Sequence, residues 1–354
     1  MKKEAKMYKK MDDKKVMCTA CARNCRLGPK QVGFCGVRQN IDGKLFLLVY
    51  GKVASSHVDP IEKKPVFHFI PGSKIFSIGT TGCNFACAYC CNFDLSQRRK
   101  VEGTDMMPKK IVELAKRYEC DGIAYTYNEP TIFIEFAHDV GLIARKENLV
   151  NIFVSNGFDT PETVKYMKDF LDSITIDLKG NAEQNFLRKH VGIMSAEPIF
   201  QTLLEIKNKT KIHVEITDLI VPKIGDDLKE AEKVCKWIVE NLGDETPIQF
   251  LRFHPTYKLI DLPATPVETL EKHYEVAKKA GLKYAYLGNV PGHKWEHTYC
   301  PECKKVVIGR FGFDITGWSL DEKNNCKFCG NPIPIIGNLS KSVKDKRFFS
   351  ISDS

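Results

Sequence analysis

Ile75-Phe76-Ser77-Ile78 runs without a break into Gly79-Thr80-Thr81-Gly82-Cys83-Asn84-Phe85-Ala86-Cys87-Ala88-Tyr89-Cys90. The first four residues read as a short apolar strand. The rest reads as a loop with cysteines at C-x3-C-x2-C spacing. Three thiolates on one loop suit three irons of a [4Fe–4S] cube, whose usual ligand set is four cysteines. The missing fourth ligand leaves one iron open to a small molecule. Gly79 and Gly82 let backbone pass close to such a cluster. The alternative is a zinc knuckle with Cys91 as fourth ligand. Adjacent cysteines rarely both reach one tetrahedral ion, however, and zinc loops favour C-x2-C pairs.

Downstream, strand and helix patterns alternate. A helix follows Pro108, with Ile111, Val112, Leu114 and Ala115 on one face, and a second spans 131–146. Further strands are expected at 122–126, 149–155, 174–178, 212–221, 248–253 and 284–287. Thr160 precedes a helix with Pro161 at its first position, and Thr265-Pro266-Val267-Glu268 has the form of a capping box. Such alternation implies parallel strands joined by crossover helices. Residues 75–289 supply six or seven units, short of the ~250 residues a complete eight-fold barrel takes. The expected fold is α/β, a partial open (β/α)6 TIM-like barrel, with a doubly wound sheet as its rival. Around the barrel, at 74–292, lie a Cys-rich segment at 1–73 and a Cys-pair segment with a basic tail at 293–354. Either fold puts the active site beyond the strand C-termini.

The chain has 354 residues, 43% hydrophobic and 27% charged, which excludes a mainly disordered protein. Its longest apolar run, 45–50, is too short to cross a membrane. No apolar stretch follows the Lys-rich start as a secretory signal requires. A cytoplasmic location is therefore expected, in which the 14 cysteines stay reduced. Met1 to Lys15 carries seven Lys against three acidic residues and reads as a solvated, frayed helix. The basic tail from Lys341 reads as loose. The net charge of +9 favours polyanions or acidic protein partners.

Twelve of the 14 cysteines fall into three groups of four, leaving Cys120 and Cys235 as ordinary thiols. Cys300-x2-Cys303 and Cys326-x2-Cys329 are two knuckles that can close one four-thiolate site, as in a zinc ribbon, with zinc favoured over iron. Such a short segment has little core, so metal would supply its folding energy. Cys18, Cys21, Cys25 and Cys35 form another four-thiolate candidate, for zinc or an auxiliary iron–sulfur cluster.

The Cys83–Cys87–Cys90 motif, with Tyr89 before the last cysteine, resembles the radical S-adenosylmethionine (SAM) superfamily. Cys90-Cys91-Asn92 and Asp177-Leu178-Lys179 are similar to the pyruvate formate-lyase activating enzyme branch. The resemblance to the radical SAM enzymes of the AmmeMemoRadiSam system covers almost the whole chain. It includes Gly33-Phe34-Cys35-Gly36-Val37-Arg38, the run from Val58 to Pro65, and His68-Phe69-Ile70-Pro71-Gly72. Cys91 departs from the Gln or His usual in relatives.

The resemblance implies that the open iron binds the amino and carboxylate groups of SAM. One electron then splits the sulfonium into methionine and a 5′-deoxyadenosyl radical, which abstracts hydrogen from a substrate. It implies that Asn128 and Glu129 stand where the family's Gly-Gly-Glu element meets the SAM ammonium. Ser155 resembles a ribose or carboxylate contact, and Tyr89 lies beside the cofactor. The resemblance implies that Asp177 and Lys179 line the space between SAM and substrate, and His254, at the end of the sixth strand, is expected to contact one or the other. A flavodoxin or ferredoxin donor is implied, as is partnership with Amme-type and Memo-type proteins. A glycyl-radical activase, a small-molecule or peptide enzyme and an RNA-modifying enzyme are the substrate classes left open. A zinc-knuckle protein that binds nucleic acid or protein without catalysis is the non-enzymatic reading.

Overall fold

The computed structural model describes residues 2–98 and 100–351. Seven parallel strands form most of one nine-stranded sheet: β1 (Lys74–Gly79), β2 (Gly122–Tyr125), β3 (Val150–Ser155), β4 (Ser173–Asp177), β5 (His213–Ile220), β6 (Ile248–Arg252) and β7 (Ala285–Gly288). Each pairs with its neighbour in chain order, from Gly122↔Ile75 at one side to Ile248↔Ala285 at the other. A doubly wound sheet reverses strand order part-way, and this one does not. Among the described residues β7 pairs in the sheet only with β6, so the barrel stays open. The other edge is extended by Ser55–Pro60, antiparallel to β1, and then by Phe349–Ser350.

Six crossover helices cover the outer face: α1 (Pro108–Arg117), α2 (Ile134–Lys146), α3 (Pro161–Met167), α4 (Glu197–Lys209), α5 (Leu228–Asn241) and α6 (Val267–Ala280). α1 begins with proline, which has no N–H to strand there, and buries Ile111, Val112, Leu114 and Ala115. Thr160 caps α3, its hydroxyl accepting from the Thr163 N–H at 3.3 Å. The capping box expected at Thr265 does not form. Its hydroxyl instead donates to the Ile220 carbonyl at 2.6 Å and accepts from the Phe253 N–H at 3.0 Å, tying the ends of β5 and β6.

The bottom of the barrel is closed by residues just before β1. Ile61, Val66 and Phe69 pack on Ile75, Ala124 and Ile152. Asp59 accepts from Lys63 at 2.7 Å, Lys64 at 2.5 Å and Tyr127 at 2.6 Å. The Val58–Pro65 motif is thus a buried ionic clasp. The carboxylate of Glu215 accepts from the N–H groups of Phe67 and His68 at 2.9 and 2.7 Å, fixing the plug under β5. His213 is structural as well, 3.0 Å from Glu215 and stacked on Phe69.

Two expectations fail at the ends. The leader is not a helix: Lys3–Glu4 pairs with Lys44–Leu47, and Tyr8–Lys10 with Val16–Cys18. Glu135 fixes it by accepting from the Lys6 and Met7 N–H groups at 3.0 and 3.3 Å, bonds a solvated helix could not make. Met1 lies outside the described residues. The tail is docked rather than loose. Arg347 is buried and donates to Glu62 at 3.0 Å, next to the paired strand Phe349–Ser350. Residues 352–354 lie outside the described residues.

Candidate active site

β1 delivers the loop of Cys83, Cys87 and Cys90 to the C-terminal end of the sheet. Asn128, just past β2, holds its first turn. The side-chain amide accepts from the Thr80 N–H at 3.2 Å and donates to the Thr80 hydroxyl at 3.0 Å and the Gly82 carbonyl at 2.9 Å. Further along, the N–H groups of Ala86 and Ala88 donate to the carbonyls of Val191 and His190 at 2.9 and 2.8 Å. Tyr89 is buried and stacks on Phe186 with ring centres 5.6 Å apart. The loop is therefore fixed at both ends before any cofactor enters. Burial raises Cys83 well above its ordinary pKa and Cys87 to about 12, so a metal has to displace the protons. Cys91 is exposed.

Glu129 and Ser155 meet at the ends of β2 and β3. The Glu129 carboxylate accepts from the Ser155 hydroxyl at 2.8 Å, the Asn156 N–H at 2.7 Å and the Thr131 N–H at 3.1 Å. Asp159 lies beyond Thr131, whose hydroxyl donates to it at 2.5 Å. Burial raises both carboxyls, and proximity to Glu129 pushes Asp159 higher still. Asn156 donates to the Asn84 side chain at 2.7 Å, so this network reaches the residue beside Cys83.

Asp177 and Lys179 form an ion pair at the end of β4. Burial alone would lower the Lys179 pKa, but Asp177 and the sulfurs of Cys87 and Cys90 raise it overall. Its ammonium lies 5.9 Å from the Tyr89 ring centre, and its backbone is left-handed at φ 64. Strain of this kind persists where the surroundings fix it. The second oxygen of Asp177 is buried without a partner, as are polar atoms of Thr175 and Gln249 on the inner face. Buried polar groups without partners are costly, so this interior suits a polar guest.

The structure thus gathers Cys83, Cys87, Cys90, Tyr89, Asn128, Glu129, Ser155, Asp177 and Lys179 at one end of the barrel. His254 stands apart, exposed on the loop leaving β6. Asn156 joins the site beside Ser155, as its place at the end of β3 implies, while Asn84 and Asp159 join it without having been expected, because each acts through a neighbour. Asp218 was missed too. It accepts from the Asn181 N–H at 3.0 Å, and burial with nearby Asp177 raises its carboxyl to about 8. A single acid inside the apolar run from Ile216 to Val221 was a signal for it.

Among the described residues, Cys300, Cys303, Cys326 and Cys329 are the one group of three or more potential ligands whose atoms all lie within 4.8 Å of one another. Cys300 is 3.6 Å from Cys329, and Cys303 is 3.7 Å from Cys326. Four sulfurs at ~2.3 Å from a tetrahedral zinc would stand about 3.8 Å apart, so this group can bind a metal ion. It sits on the sheet Thr298–Tyr299, Val306–Phe311 and Asp314–Trp318, which packs on Phe67, Tyr284 and Tyr286. Cys18, Cys21, Cys25 and Cys35 are brought together around one cavity at the other end of the chain.

Comparison with known proteins decides the family. Residues 77–238 match the radical SAM superfamily. Over 94% of its length the chain is 44% identical to an uncharacterized protein of Methanocaldococcus jannaschii, covering 99% of that protein. The chain belongs to the radical SAM superfamily. A radical SAM protein uses a [4Fe–4S] cluster and SAM, and the open trio and polar interior fit both. A candidate glycyl-radical enzyme activating enzyme of the same organism is 29% identical over 45% of this radical SAM chain and 60% of its own. A domain of a pyruvate-formate lyase-activating enzyme from Bacteroides vulgatus superposes with a TM-score of 0.40 at 16% identity, over 48% of this chain and 99% of that one. No described helix is long and apolar enough to cross a membrane.

Proposed function

We propose that this radical SAM protein is an oxidoreductase that removes a hydrogen atom from a polypeptide, in the manner of a glycyl-radical enzyme activase. The observation that carries the reading is the Asp177–Lys179 pair, held against Tyr89 and the cysteine trio at the open end of the barrel. Relatives named as a candidate glycyl-radical enzyme activating enzyme and as a sulfatase-maturating enzyme support a protein substrate.

Cys83, Cys87 and Cys90 would hold the [4Fe–4S] cluster, leaving its fourth iron for SAM. When bound, the cluster supplies the electron that cleaves SAM and so generates the hydrogen-abstracting species. The chain's own residues position and shield. Asn128 locks the loop, and Glu129 with Ser155 sets the β2 and β3 ends where the SAM ammonium and ribose would lie. Tyr89 walls the cofactor space. Lys179 would place a positive charge beside an anionic cluster held by the trio, with Asp177 fixing its ammonium. His254, exposed and apart from the cofactor space, is the proposed contact for the substrate. Cys300, Cys303, Cys326 and Cys329 would hold zinc as a structural ion. The electron would come from a flavodoxin or ferredoxin, drawn by the +9 net charge. Amme-type and Memo-type proteins are the further partners of this reading.

The test uses a soluble protein fraction from an anaerobic host grown on α-deuterated glycine. Incubated with the reduced holoenzyme and SAM, it should pass deuterium into 5′-deoxyadenosine. SAM cleavage with no label from any protein fraction, but with label from a deuterated small-metabolite pool, would overturn the polypeptide assignment.

A further inference from the structure

The four N-terminal cysteines lie within 18 residues of one another along the chain. Cys18, Cys21, Cys25 and Cys35 all line a single cavity of ≈ 20 Å³, together with Arg23, Arg38, Asn84 and Ile132. We infer that these four thiolates bind an iron–sulfur cluster, a second one beside that of Cys83, Cys87 and Cys90, rather than a zinc ion.

The C-terminal tetrad is the internal yardstick. Its sulfurs have closed to the spacing of a tetrahedral ion, while those of the N-terminal tetrad have not: no three of them fall within 4.8 Å of one another. The catalytic trio fails the same test, as expected where each thiolate binds a different iron. The cavity also has room for a body the size of a water molecule, which takes at least ~10–15 Å³. Four sulfurs drawn to ~2.3 Å from one zinc leave no such space. Gly33 borders two of the sulfurs: a Cβ there would stand at ordinary contact distance, 3.8 Å from the Cys35 sulfur and 3.9 Å from that of Cys25.

The charges suit an anionic centre. Four thiolates carry net negative charge around a cluster and around a zinc ion alike, so the two guanidiniums lining the cavity mark a metal centre, and the choice of a cluster rests on the sulfur spacing. Arg38 is buried and donates to Glu135 at 3.1 and 2.5 Å. Arg23 donates to the Asn84 carbonyl and, at 2.7 Å, to the Gly192 carbonyl. The barrel supplies the far wall. Asn84 follows Cys83 in sequence and faces the N-terminal cavity. Gly82 sits so near the Cys35 carbonyl that a Cβ would collide with it. Thr160 and Thr163 donate to the carbonyls of Thr19 and Ala20, each at 2.7 Å. The two centres therefore share one piece of backbone.

The full-length chain, expressed anaerobically with iron-57, tests this by metal analysis and Mössbauer spectroscopy. The Cys83→Ala/Cys87→Ala/Cys90→Ala variant should keep about four irons per chain for a cubane, or about two for a two-iron cluster, with matching sulfide. Adding Cys25→Ala and Cys35→Ala should remove that iron and leave the C-terminal metal. An iron-free triple variant that still melts cooperatively, or iron that survives the added substitutions, would overturn the inference. If the triple variant does not fold, the unmodified chain decides: more than about four irons per chain is expected, and about four with two zincs would refute the second cluster. Failure of the catalytic reading shows differently, as no iron lost when the trio is replaced.

Discussion

Cys300, Cys303, Cys326 and Cys329 close on one another within a small antiparallel sheet that contributes its own walls. Cys18, Cys21, Cys25 and Cys35 stand apart around a space that the barrel helps to enclose. Both tetrads have four thiols, yet one closes its sulfurs through its own two knuckles and the other holds them open against the barrel. Cysteine spacing therefore reports a site well when all of its geometry lies in the spacing. It reports poorly when a wall comes from a residue such as Asn84, far along the chain.

The largest effect expected is at the shared loop. Cys87→Ala should cut reductive SAM cleavage by at least about 1,000-fold, measured as 5′-deoxyadenosine, while iron at the N-terminal cavity persists. Next, Cys303→Ser should release the C-terminal metal and expose residues 298–335 to hydrogen exchange. Structural metal of this kind contributes on the order of 10 kcal/mol to isolated domains, but SAM cleavage should fall less than about tenfold. An equal loss of activity would show that the two ends are not independent.

A smaller effect follows at the N-terminal joint. Glu135→Gln leaves the buried Arg38 without its countercharge, which costs about 3–5 kcal/mol in comparable pairs. Chemical denaturation should report that loss, with the N-terminal metal leaving before the C-terminal one. The mildest effect is a slope. Asp218, raised to about 8, keeps a proton that the unfolded chain releases near its ordinary value of 3.8. Folding stability should therefore fall as pH rises from about 4 through 8. Asp218→Asn should flatten that fall in denaturant midpoints taken across the range.

The barrel was legible because its strands are buried on both faces and its helices carry apolar stripes. β1 to β7 fall within a residue or two of their expected positions. The trio was legible because its ligands lie on one short loop. Thr265 misled because its hydroxyl had better partners on two neighbouring strands than on its own helix. The leader misled because its order comes from Glu135, 128 residues or more away, rather than from local propensity. Glu129 was found, but two of its three donors, Ser155 and Asn156, lie 26 and 27 residues away at the end of β3 and could not be read from the sequence.

The pairing of Phe349–Ser350 with Ser55–Pro60 has a consequence for how this molecule behaves in concentrated solution. An uncovered edge offers unpaired N–H and C=O groups to any passing strand. Here that edge is sealed by a segment of the same chain, held by the buried pair of Arg347 with Glu62. Loosening that short seal would not touch the chemistry at the barrel mouth. It would open a route to self-association through the sheet margin.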